Sequence, residues 1–167
     1  MSVLNTIRDK VVAMNNLLQS DLIRNVLINH DSDIMELQQI QLLQGKASNG
    51  EDIRPYYSED LKPSGYFHSV DSAGRYSAWK DGLPYPYSVS RNPDAPNLYI
   101  NGKFHSELGV EFLPDEVGIV PTTSYATRIV NKYGLKTFGL QSDYWNIIFR
   151  ERGALSELIN EIRNMLL

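Results

Sequence analysis

The chain has 167 residues, with 16 basic and 20 acidic side chains, a net charge of −4 and no cysteine. A chain of this length suits one domain and buries about 70% of the surface its unfolded form exposes, so it needs neither disulfide nor metal to fold. The composition excludes thiol catalysis, iron–sulfur clusters and cysteine-ligated zinc, and the acidic balance argues against affinity built on many phosphate contacts, hence against sequence-specific nucleic-acid binding.

Residues 1–44 read as a helical segment. Val3, Ile7, Val11, Met14, Leu18 and Leu22 recur at spacings of three and four, with Leu17, Val26 and Leu27 widening the stripe. The segment opens directly on this pattern, without the basic-then-apolar order of a secretory signal. No apolar run in the chain approaches the ~20 residues of a membrane span, so no membrane partner is expected. Asn29-His30-Asp31-Ser32 breaks the first helix. Asp33 then stands as an N-cap with Glu36 three residues on, close to a capping box. A second helix follows with Ile34, Leu37, Ile40 and Leu43 inward, stopped by Gly45. An antiparallel pair of helices and one long bent helix both satisfy the pattern.

Residues 45–96 are different in kind. Six of the eight prolines lie here, and seven of the ten tyrosines fall between Gly45 and Tyr99. Neither a helical nor a strand period is sustained. A connection this long without regular structure is unusual in a compact domain, yet it is too aromatic for a plain disordered linker. Tyrosine and tryptophan join a large apolar body to a polar handle, a composition favoured at interfaces. The segment therefore reads as an extended arm ordered against neighbouring subunits, its contacts made by Tyr56, Tyr57, Tyr66, Phe67, Tyr76, Trp79, Tyr85 and Tyr87. The plainer alternative is a long loop packed on its own domain.

Residues 97–167 carry the sheet and the last helix. Asn97–Ile100 reads as a short strand, followed by a tight step at Asn101-Gly102. Leu108, Val110 and Phe112 alternate, Pro114-Asp115 supplies a turn, and Val117, Ile119 and Pro121 alternate on the return. Tyr125, Ile129 and Tyr133 then share one helical face that ends at Gly134. From Ser142 to Leu167 the chain is helical again, capped by Ser142 or Asp143, with Tyr144, Ile147, Ile148, Ala154, Leu155, Leu158, Ile159, Ile162, Met165 and Leu166 on its apolar face. Gly153 marks a kink or break. Trp145 and Phe149, four apart, anchor this helix on the sheet.

Few residues in this order suggest chemistry. His30, His68 and His105 have no metal-site spacing and read as solvated or loop histidines. The pairs Glu51-Asp52, Glu59-Asp60 and Asp115-Glu116 are adjacent and point apart on extended chain. Glu107 or Glu111 has no distant acid selected for it as a glycosidase pair would need. Arg150, Arg152 and Arg163 are offset by Glu151, Glu157 and Glu161 on the last helix. No catalytic, metal or cofactor site is expected.

The C-terminal half resembles the tail-completion and virion-morphogenesis proteins of the head–tail junction of tailed bacteriophages. In that family a long N-terminal helix leads to a leucine-and-glycine step, then a β-hairpin, a Tyr-Ala helix start, an aromatic-glycine close and a final amphipathic helix. Here Leu98, Ile100 and Gly102 match the step, with Asn101 where many members carry threonine. Tyr125-Ala126 and Tyr133-Gly134 match the start and the close, and Phe138-Gly139-Leu140 before Ser142-Asp143 resembles the turn ahead of the last helix. The resemblance covers roughly residues 97–167 and, more loosely, the first helix. It implies a non-enzymatic structural virion protein, assembled in the host cytoplasm. Such a protein forms a homomeric ring at the neck or tail and binds itself and portal, neck or tail proteins. The asparagine- and tyrosine-rich style suits a crAss-like phage.

The expected fold is α+β: N-terminal helices, a small antiparallel sheet near residues 98–121, and a C-terminal helix packed on it, with the Tyr/Pro-rich segment as arm or loop. Two other classes stay open: a carbohydrate- or cell-wall-acting hydrolase, whose tyrosine-rich loops line a sugar groove, and a monomeric protein-binding adaptor.

Overall fold

A computed structural model describes residues 21–113 and 116–166. The helical stripe expected over residues 3–18, the turn at Pro114-Asp115 and residue 167 lie outside the described residues. Helix α1 spans Asp21–Asn29 and α2 spans Asp31–Leu43. They are separate helices broken at His30. Leu22, Val26 and Leu27 are buried on α1, and Ile34, Leu37 and Leu43 on α2. Asp31 and Ser32 are already helical, so Asp33 does not cap α2, and no side chain caps its first residue. The carboxylate of Asp33 instead meets His30 Nδ1 at 2.9 Å and Arg152 at 3.2 Å, while Glu36 pairs with Arg152 at 2.9 Å. A partner far along the chain competed successfully with the local cap.

Gly45 closes α2 as expected. Its φ is +74°, and a Cβ there would lie 2.9 Å from that of Ala95. Both the left-handed backbone and the close approach require glycine. The chain then turns back tightly, with Ala47 N–H donating to Glu51 O at 2.8 Å and Ile53 N–H to Gly45 O at 2.7 Å.

Residues 45–96 are not an extended arm in this structure. They pack on the rest of the chain and contain a helix, α3, over Val70–Asp81. Ser69 and Ser72 form a reciprocal capping box at its start. Its buried residues are Ala73, Ser77 and Lys80. A face made of one methyl, one hydroxyl and one amine produces no apolar stripe, which is why periodicity misses this helix. Ser77 Oγ donates to Pro93 O at 2.6 Å, and Tyr57 N–H donates to Asp94 O at 3.0 Å, which ties both ends of the segment together.

The expected strand at Asn97–Ile100 is absent. Leu98 has a φ of +54°, and Asn97 Oδ1 accepts from Tyr99 N–H at 3.2 Å, a side-chain turn that excludes pairing. A single helical turn, α4 (Lys103–Ser106), follows. Strands β1 (Leu108–Phe112) and β2 (Val117–Pro121) form an antiparallel hairpin in which Leu108, Val110 and Phe112 face Pro121, Ile119 and Val117. Helix α5 (Ala126–Tyr133) ends at Gly134, whose φ is +83°.

The last helical region is broken more than expected. Helix α6 (Ser142–Asn146) runs into a π-helical turn, Ile147–Glu151, and Gly153 at φ +95° separates it from α7 (Ala154–Leu166). Gln141 occupies the cap position without a side-chain bond, in place of Ser142 or Asp143. Ile148 and Ala154 are fully buried against α1, α2 and Ile119, with Trp145 and Phe149 packed at the edge of that cluster. Leu155, Ile159 and Met165 on α7 stay exposed, as do Ile23 and Ile28 on α1. The architecture is α+β, with helices and, among the described residues, one two-stranded sheet.

Candidate functional site

The eight aromatic residues expected at an interface separate into two groups. Tyr57 and Phe67 are 6% and 7% exposed and form a small core of their own with Ala73. Their rings meet edge to face at 6.0 Å, and Tyr76 packs on Tyr57 at 5.1 Å and on Phe67 at 5.2 Å. All of these side chains belong to residues 45–96, so the cluster folds that segment on itself and leaves Tyr57 and Phe67 almost no surface for a neighbour, which corrects the expectation that they contact one. Tyr66 and Trp79 continue the same cluster outward and are 70% and 50% exposed. Tyr56, Tyr85 and Tyr87 are half-buried. Tyr56 donates to Asp52 at 2.8 Å under the Arg54 guanidinium, and Tyr85 donates to the carbonyl of Lys80. Burial works against a charge on Asp52, but Lys46, Asn92 and Tyr56 outweigh it and hold the carboxyl at about 2.

Between α3, α5 and the 98–104 turn lies a cleft of about 300 Å³. Tyr57 and Tyr76, then Tyr125, Ile129 and Tyr133 of α5, and Leu98, Ile100 and Phe104 line it. The stripe of α5 read from the sequence faces this cleft, and none of its residues is fully buried. Burial raises the pKa of the Tyr57 and Tyr133 phenols. No carboxylate among the described residues lines the cleft.

Lys80 also lines it. The residue is only 1% exposed. No carboxylate of the described residues forms an ion pair with its amine. Desolvation, helped by the Arg91 guanidinium, lowers its pKa to about 7. His105 is buried beside it rather than solvated. Desolvation lowers the imidazole to about 4 against the opposing effect of Asn97 O, with Lys80 lowering it further. Nε2 of His105 lies 3.0 Å from Asn97 O, which makes it the protonated nitrogen, and Nδ1 has no partner. Asn97 Nδ2 and Arg91 Nε are likewise buried and unpartnered. Sequence reading missed this basic cluster because Lys80 stood in a segment without periodicity. The available signal was the i, i+4, i+7 spacing of Ala73, Ser77 and Lys80 behind Ser69-x-x-Ser72.

Elsewhere, His30 is also buried, between Asp33 and Glu157 at 2.9 and 3.4 Å, whereas His68 is exposed beside Lys62 at 3.2 Å. Arg152 and Glu157 thus bind α2 and the His30 junction rather than other residues of their own helix. Among the described residues no group of three His, Asp or Glu side chains is placed to hold a metal ion, and no helix is long and apolar enough to cross a membrane. Compared with known protein families, curated proteins and solved structures, the chain shows no significant match.

Proposed function

We propose that this chain is a non-enzymatic structural subunit of a tailed-bacteriophage virion, acting at the head–tail neck or tail as a homomeric ring. The observation that carries the reading is the order of elements from residue 98 to the last helix. A glycine turn at Gly102 precedes a hairpin, a helix begins after Tyr125 and closes at Gly134, and a glycine turn at Gly139 precedes the terminal helices. These are the positions at which the sequence resembles the neck and tail-completion proteins. Exposed apolar side chains, among them Tyr66, Val70, Trp79, Ile100 and Leu135, and Ile23, Ile28, Leu155 and Ile159 on α1 and α7, offer contact area for neighbours. A head-to-tail interface between two different faces closes into a ring when the rotation allows. The lack of any carboxylate in the aromatic cleft speaks against the sugar-hydrolase reading, which needs two.

Native mass spectrometry and electron microscopy of the purified chain test this. A defined homo-oligomer with ring-shaped particles is the expected result. A monomer at every concentration, or turnover of peptidoglycan that Glu111→Gln abolishes, would overturn it.

A further inference from the structure

The geometry points to a second property, a binding site in the aromatic cleft for a carboxylate carried on a small apolar or aromatic body. The cleft's volume of about 300 Å³ is at the small end for a ligand site, near the ~300 Å³ lower bound, and its walls join the apolar side chains of Leu98, Ile100, Phe104 and Ile129 to tyrosine rings with their hydroxyls, Lys80 and Asn101. A ligand of this class satisfies what the protein leaves open. Lys80 presents an amine at the cleft with no ion-pair partner among the described residues. Beside it Arg91 is committed to Asp81 at 2.9 Å and to two backbone carbonyls, and Asn97 adds a free amide nitrogen. His105 adds an imidazole rather than an anion. A buried ammonium without a counter-anion is costly, and a bound carboxylate would offset that cost while forming a charge-assisted hydrogen bond to Lys80. The phenols of Tyr57, Tyr76 and Tyr133 flank the same space and supply ring faces for the ligand body. A phosphate would gain the same charge but leave the apolar walls unused, so the class is a monocarboxylate.

The test is an amide-resolved NMR titration of the full chain with 4-hydroxyphenylacetate and with its neutral amide. Expected is saturable binding of the acid at millimolar concentration or below, at least tenfold tighter than the amide. Affinity should fall about tenfold from pH 6 to pH 8 as the Lys80 ammonium is lost. Lys80→Met should remove the preference for the acid. Should that variant not fold, Ile100→Trp at the exposed mouth should weaken binding of the acid and the amide alike, and unchanged acid binding by it overturns the inference. A short peptide ending in a free phenylalanine carboxylate separates the sources of the ligand. Its binding assigns the cleft to a partner's chain end, and binding of the small acid alone assigns it to a free metabolite-sized acid. Equal affinity for acid and amide, undiminished acid binding by Lys80→Met, or no shift up to roughly ten millimolar acid overturns the inference.

Discussion

Gln41 in α2 and Gln141 ahead of α6 are joined across the domain: the backbone N–H of Gln141 donates to Gln41 Oε1 at 2.9 Å, and Gln41 Nε2 donates to Gly139 O at 2.8 Å. Gln38 Oε1 accepts from Gly139 N–H at 3.0 Å, and Tyr144 donates to Gln44 at 2.9 Å. Gln38 and Gln41 are 0% exposed. Side chains of a helix thus pair with an extended backbone that has no strand beside it. Gln41→Met keeps the volume but leaves the Gln141 N–H and the Gly139 carbonyl, both in half-buried residues, unpaired. A fully buried group left so costs about 1–3 kcal/mol and these cost less, so a loss of roughly 1–3 kcal/mol in urea unfolding is expected, and a loss below about 0.5 kcal/mol would show that water takes the vacated places.

The parts of this fold legible in sequence were those whose inward faces are apolar at a regular period. β1, β2, α5 and the inward residues of α2 follow from that pattern, and the stops at Gly45 and Gly134 from backbone sterics. α3 was not legible because its buried face is Ala73, Ser77 and Lys80. The strand expected at Asn97–Ile100 failed because Asn97 bonds its own backbone two residues on, a local competition that hydropathy does not register. Asp33 and Glu36 have the right spacing for a cap, but Arg152, more than a hundred residues away, takes both. Of the cleft, the sequence placed Tyr125, Ile129 and Tyr133 on one face. It could not show that this face meets Lys80, since that depends on how α3 docks.

Phe67 and Tyr66 are neighbours with opposite fates, which gives a clean stability comparison. Phe67→Ala should cost about 3–5 kcal/mol and Ile148→Ala about 2–5 kcal/mol, as for other large-to-small changes in cores, because both side chains are buried. Tyr66→Ala, at 70% exposure, should stay within about 0.5 kcal/mol. Near-zero loss for Phe67→Ala in the monomer would restore the free-arm picture of residues 45–96.

The buried amine of Lys80 makes stability depend on pH in a defined direction. Its folded pKa of about 7 lies below the ordinary lysine value of 10.5, so between these pH values the unfolded chain holds a proton that the folded chain does not. Stability therefore rises with pH across that window, by up to about 1.4 kcal/mol per unit. The difference between the wild type and Lys80→Met isolates this contribution. Below pH 7 the difference should be flat, with the methionine variant the more stable, and above pH 7 it should narrow. A difference that does not change from pH 6 to pH 9.5 would mean that the amine is solvated.

His105 acts in the opposite pH range. Desolvation holds its pKa at about 4, below the ordinary 6.5. As pH falls from 6.5 to 4 the unfolded chain gains a proton that the folded chain refuses, and stability drops by up to about 1.4 kcal/mol per unit. The Cε1 proton resonance of His105, assigned with His105→Gln, should titrate near 4. A midpoint near 6.5 would place water or an unseen acceptor at Nδ1.

In the proposed ring, Trp79 would serve assembly rather than folding. Its ring packs on Tyr76 at 5.4 Å yet is half exposed, and with Tyr66 it forms the outward side of a cluster whose inward side is Tyr57 and Phe67. Aromatic residues of this kind dominate binding energy when a partner covers them. Trp79→Glu places a charge at that surface while leaving the core untouched. The expected outcome is an unchanged urea midpoint for the isolated subunit together with loss of the homo-oligomer in native mass spectrometry. A conservative Trp79→Phe change should retain assembly. If Trp79→Glu assembles as the wild type does, the contact surface lies elsewhere, and the apolar side chains of α1 and α7 — Ile23, Ile28, Leu155 and Ile159 — become the positions to change next.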